Sequence, residues 1–173
     1  TKKFYKKPHT GLDIFAEAGT QLYACLDSKV KSVGTVGKYG TVIVLEIDLV
    51  EEFKLARNNY QLKYTDEIET GPKFNLNDKI YLRYAHVQSA SVSVGQNISA
   101  GEPLGLSGIS GNAKKTLAPH LHFEITNDPA PPKGLNYKCN PAFYVNIIPE
   151  ERADKSNQEK VIEKRRKELK LKR

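Results

Sequence analysis

Short apolar runs and two-residue alternation dominate the first two thirds of the chain. "QLYACL" (21–26), "KVKSVGTV" (29–36) and "GTVIVLEIDL" (40–49) are rich in β-branched and aromatic residues. That is the pattern of strands, and the "GKYG" between the last two reads as a hairpin turn. "KIYLRYAHV" (79–87) and "APHLHFEIT" (118–126) are further strands. In "VSVGQNISAGEPLGLSG" (92–108) glycines recur every few residues around short apolar pairs, which predicts short strands joined by tight turns. Residues 49–79 break the rhythm. They are more charged, with "RNN" and "TGP" as interruptions, and read as an inserted excursion, for which an extended hairpin is one form.

The last segment has a different period. Ser156 to Glu159 has capping-box spacing, and Glu163/Lys167 and Glu168/Lys172 stand four apart. A helix is expected from about residue 157. Its apolar stripe, Val161, Ile162, Leu169 and Leu171, is thin. It could dock on the body or meet a protein partner, but a solvated helix fits such a stripe best.

Composition narrows the class. A chain of 173 residues can bury one core, and 12 Gly with 9 Pro suit a turn-rich β protein. No apolar run reaches the ~18 residues of a membrane span. The net charge is +7, and residues 150–173 hold 10 Lys/Arg against 6 Asp/Glu. No aromatic-basic interleaving accompanies that charge, so nucleic acid is not an expected partner. The chain has no methionine, which implies a processed or trimmed product, so the lack of a signal peptide does not argue against export. Cys25 and Cys139 leave a disulfide, two buried thiols or one exposed thiol open.

The candidate chemistry lies in four histidines. On a strand, alternation puts His120, His122 and Glu124 on one face and Leu121, Phe123 and Ile125 on the other. Two imidazoles could then reach one ion or one substrate atom. "PHTGLD" sets His9 and Asp13 four apart around Gly11, which allows a sharp backbone path. Imidazole nitrogen and carboxylate oxygen are both zinc ligands. In "YLRYAHV", Tyr84 and His86 are expected to share a face. Taken singly, each pattern is also what surface histidines or a salt bridge would give.

Together the three patterns resemble one family, the zinc endopeptidases of the lysostaphin/LytM type, which cut peptide cross-links of bacterial peptidoglycan. Its marks are an HxGxD motif, a "YAHL"-like histidine and HxH within "HLHFE". They stand here as His9-Thr10-Gly11-Leu12-Asp13, Tyr84-Ala85-His86-Val87 and His120-Leu121-His122-Phe123-Glu124. The resemblance covers about residues 8–128, in the family's order. It implies an all-β fold, mainly antiparallel sheets forming a groove over one zinc ion, with the 49–79 excursion inserted. That domain would span residues 1–148, followed by a basic helical or disordered tail at 149–173.

Carried over by position, His9, Asp13 and His122 would hold Zn2+, leaving a fourth place for water. His86 and His120 would handle the proton and the oxyanion, with the division between them open. Glu124 would be either a partner behind a ligand or an exposed carboxylate, and Tyr5 and Tyr84 are candidate contacts near the site. The implied partners are peptidoglycan peptides, met in the periplasm, at the cell surface or after secretion. Some relatives of this type lack ligands and regulate other wall hydrolases. The full ligand set here argues for the enzyme. The rhythm of 94–105 also resembles biotinyl and lipoyl carriers, but no lysine lies inside it.

Overall fold

A computed structural model describes residues 8–62, 67–130, 134–146 and 155–171. The period-two segments are strands. β1 is Leu12–Phe15, β2 Gln21–Tyr23, β3 Ser28–Val36 and β4 Gly40–Ile47. β5 is Tyr81–Val87, β6 Ser89–Ala90, β7 Asn97–Ile98, β8 Pro103–Leu106, β9 His120–Thr126 and β10 Lys138–Cys139. The large sheet runs β1-β9-β5-β4-β3-β7, with β10 also on β9, and the small sheet runs β2-β8-β6. Every pairing is antiparallel.

Alternation decides what the two faces of the large sheet do. Leu121, Phe123 and Ile125 of β9 join Leu82 and Tyr84 of β5 and Ile43 and Leu45 of β4 in one core. Leu22 and Leu104 of the small sheet close that core from above. Each such side chain contributes about 1.5–3 kcal/mol of burial. A smaller cluster, Val42, Val44, Tyr81 and Ala85, lies on the other face. That face also receives His122 and Glu124.

Among the described residues, 49–79 form no extended hairpin. Val50–Leu55 form a helix, α1, and the described remainder is irregular apart from a bridge from Thr70 to Cys139. Glu51 and Glu52 lie in its first turn, where a helix favours negative charge. Phe53 is buried and stacks on Tyr144 with centroids 4.1 Å apart.

The tail helix, α2, spans Lys155–Leu171, starting two residues before the expected position. Lys167 pairs with Glu163 at 3.4 Å as the spacing implied, while Lys172 and the 148/149 boundary lie outside the described residues. The helix is docked, not solvated. Arg165 is buried, and its Nη2 donates to Lys114 O at 2.7 Å. Polar contacts from Arg165 and Asn157 help to dock it, which the thin apolar stripe could not reveal. Cys25 and Cys139 are free thiols, one exposed and one buried, so no disulfide joins them. Among the described residues no helix is long and apolar enough to cross a membrane.

Candidate metal and catalytic site

The site is assembled by strand register. β1 pairs with β9 so that Asp13 stands opposite His122 and Phe15 opposite His120. Partners so placed lie within side-chain reach. Asp13 Oδ1 is 2.8 Å from His122 Nδ1 and 3.2 Å from His9 Nε2. His9 is reached because the chain before β1 passes closely over β9. A Cβ at Gly11 would meet Phe123 O at 2.4 Å and Glu124 Cγ at 2.8 Å. The glycine in this motif therefore serves close approach between backbones.

His86 comes to the same place by an irregularity. Thr41 pairs with Val87 and Ile43 with Tyr84, so Ala85 and His86 stand opposite Val42 alone. This is a bulge in β5, and His86 has φ +62°. A positive φ at a residue with a Cβ costs roughly 1–3 kcal/mol and persists only when its surroundings impose it. The bulge turns the ring across the sheet. His86 lies 4.9 Å from the His120 ring and 6.0 Å from the His122 ring. Tyr84 therefore does not share a face with His86. It is buried in the main core, with its hydroxyl 3.2 Å from Cys25 Sγ, and takes no part in the site. Tyr5 lies outside the described residues.

Backbone carbonyls set the tautomers of both auxiliary rings. His86 Nδ1–H donates to Ser110 O at 2.9 Å, and His120 Nδ1–H donates to Ala118 O at 2.9 Å. The basic nitrogen of each ring is then Nε2. His120 Nε2 is 3.8 Å from Asp13 Oδ1. Burial and then the neighbouring His120 charge hold the His86 pKa below its ordinary value, so the ring stays a neutral base near neutrality.

Glu124 is no exposed carboxylate. It is fully buried and pairs with Arg83 through Oε2 and with Lys138 through Oε1. Oε1 also accepts from the Thr10 hydroxyl at 2.9 Å, the Tyr39 hydroxyl at 2.9 Å and His122 Nε2–H at 3.0 Å. Burial alone would raise its pKa, but the His122 hydrogen bond and the Lys138 and Arg83 charges hold the carboxyl well below the usual range. Asp13 is shifted the same way, burial being overcome by hydrogen bonds from His122 and His9. Arg83, Lys138, Tyr39 and Thr10 escaped the sequence reading. A lone arginine inside the otherwise apolar "YLRYAHV" was the one available signal, since a buried guanidinium demands a counter-charge.

The donor set fits a cation. His122 Nε2–H is given to Glu124, His122 Nδ1 faces the Asp13 carboxylate, and His9 Nε2 faces the same oxygen. Burial alone would lower the His122 pKa, but its hydrogen bonds to Asp13 and Glu124 raise it, so a proton bridges Nδ1 and Asp13. The ligand atoms of His9, Asp13 and His122 all lie within 4.8 Å of one another. A metal ion could take the place of that bridging proton, and two imidazoles with one carboxylate suit zinc.

Beside His9 opens a cleft of about 400 Å³, lined among others by Thr10, Tyr60, Glu67, Lys138 and Asn140. Tyr60 and Glu67 come from the 49–79 excursion, which thus borders the site.

Known proteins resemble this chain. Residues 73–134 match the model of peptidase family M23, a stretch that includes His86, His120 and His122. The chain is 31% identical over 121 residues to the glycyl-glycine endopeptidase ALE-1 of Staphylococcus capitis. The chain contains a peptidase family M23 domain. The aligned part is 69% of this chain and 25% of ALE-1, so the chain spans about a quarter of that M23 relative. The lysostaphin catalytic domain of Staphylococcus simulans shares the fold, with a TM-score of 0.52 at 24% identity over 77% of this chain and 75% of that one. A prophage-encoded M23 protein of Enterococcus faecalis, EnpA, gives 0.54 at 20% identity over 84% and 85%. The mostly antiparallel sheets with few helices are the M23 fold, and the C-terminal helix follows them.

Proposed function

We propose that this M23 domain is a zinc-dependent endopeptidase that hydrolyses cross-links or stem peptides of bacterial peptidoglycan outside the cytoplasm. The observation that carries the proposal is the convergence of His9, Asp13 and His122 on one point, with two further imidazoles beside it. Homology to an enzyme named for glycyl-glycine cleavage supports the substrate class.

Zinc held by those three residues would act as a Lewis acid, polarising a peptide carbonyl and acidifying water. The protein does the rest. Glu124 fixes the His122 ring through Nε2, and so presents Nδ1 to the site. His86 and His120 offer Nε2 to take a proton from the attacking water and to return one to the leaving amine. A carbonyl already occupies the other nitrogen of each ring, so Nε2 is the nitrogen left to act. A retained pair of uncommitted imidazoles favours catalysis over a purely binding role.

Digestion of purified peptidoglycan, followed by mass analysis of the products, tests the proposal. New amino termini that appear with wild type and not with His120→Ala or His86→Ala support it. Intact peptidoglycan with zinc-loaded wild type contradicts it.

A further inference from the structure

Residues 110–118 carry both carbonyls that orient the auxiliary imidazoles, Ser110 for His86 and Ala118 for His120. The two ends of this loop are held differently. Ser110 is gripped from the sheet, because Thr41 N–H donates to its Oγ at 2.9 Å. Gly111, at φ +65°, lies so close to β4 that an added Cβ would meet Gly40 N at 2.4 Å. Beyond the buried Ala113 the loop is held by its own Thr116, whose Oγ1 also reaches Ala118 O at 3.3 Å, and at its far end Ala16 N–H donates to Pro119 O at 3.3 Å. Thr116 donates back to Ala113 O from N–H at 3.0 Å and from Oγ1 at 2.8 Å.

Residues Gly111–Lys115 form a short 3-10 turn. The last carbonyls of such a turn find no partner within it. Lys114 O finds one in α2, where Arg165 Nη2 donates to it at 2.7 Å. Glu168 holds the other arm of the guanidinium, through Nη1 at 2.9 Å. Arg165 is the one buried residue among the described side chains of α2. A cation also complements the carbonyl end of a helical turn.

We propose that α2 is a working part of the site, with Arg165 a positioning residue. It fixes the 112–118 half of the loop and, through Ala118, sets the ring of His120. His86 is governed by the sheet-held end and does not depend on it. The catalytic consequence rests on the reading of His120 as a proton-handling residue, whereas the structural consequence does not.

The test uses the full chain with Arg165→Ala, Arg165→Lys and, as a control on the exposed side of α2, Lys167→Ala. Nitrogen-edited NMR of the imidazoles reads each Nδ1–H, and amide exchange reads the loop. In Arg165→Ala the His120 Nδ1–H signal broadens or vanishes while that of His86 persists. Amides of 112–117 exchange about tenfold faster. Turnover falls about tenfold, with KM and zinc content unchanged. Arg165→Lys, which keeps a donor, recovers part of the loss, and Lys167→Ala matches wild type. Wild-type His120 signals and loop exchange in Arg165→Ala overturn the proposal, and so does a change spread equally over both imidazoles and the core amides. If wild type cuts no peptide while His120 and the loop still respond, the brace stands and the peptidase reading falls.

Discussion

At the scale of single residues, Glu124 holds the most consequence for its size. It is the anion between two buried cations and His122, the proposed zinc ligand. Glu124→Gln keeps the shape and removes the charge, leaving Arg83 and Lys138 without a counter-ion. Breaking a buried pair in this way costs about 3–5 kcal/mol, to be read from denaturant unfolding. Loss of the carboxylate behind a ligand should also weaken zinc binding about 10–100-fold, to be read by chelator competition. The two cysteines make a separate case. Burial pushes the Cys139 thiol up to about 12, so it is almost wholly protonated at pH 8. Alkylation of the native protein at that pH should label Cys25 alone, and denaturation should expose the second thiol. One label before and two after, counted by mass, is the expected result. No label without reductant would indicate a disulfide.

At the scale of elements, the bulge in β5 has the clearest functional cost. A regular strand would leave His86 in the core beside Tyr84. His86→Gly should keep the bulge without strain, since glycine takes positive φ freely. Turnover should then fall about 10²–10⁴-fold, with zinc content unchanged and stability lowered by less than about 1 kcal/mol. The helix α1 offers the converse. Phe53→Ala should cost about 3–5 kcal/mol by opening the contact with Tyr144, yet leave zinc affinity as it was, because that contact lies in the main core and not at the site. Thermal unfolding alongside metal titration separates the two effects. These elements also show what a sequence can disclose. The β9 alternation was legible because Leu121, Phe123 and Ile125 announce the core and so fix where His122 points. The flip of His86 was not, because "YLRYAHV" contains no glycine or proline to mark a bulge. α1 was hidden by its shortness, since six residues leave no helical period to read.

At the scale of the whole molecule, the site draws on segments more than a hundred residues apart, joined by β1 pairing with β9. Neither local motif specifies that pairing, and only the resemblance to a known family put His9 and Asp13 beside His122 in advance. The charge network beneath them was illegible for the same reason: Arg83, Lys138 and Tyr39 come from three strands or turns with no common motif. The docking of α2 was hidden because a guanidinium and a backbone carbonyl contribute to it, and no apolar stripe announces such a contact. This geometry suits a single zinc ion held by His9, Asp13 and His122 together, as proposed above. The most direct measurement is elemental zinc per chain after dialysis, for wild type and for His9→Ala, Asp13→Ala and His122→Ala. One zinc per wild-type chain is expected, with loss of most of it in each variant and the fold retained by circular dichroism. Stoichiometric zinc in all three variants, or none in wild type supplied with zinc, would contradict it.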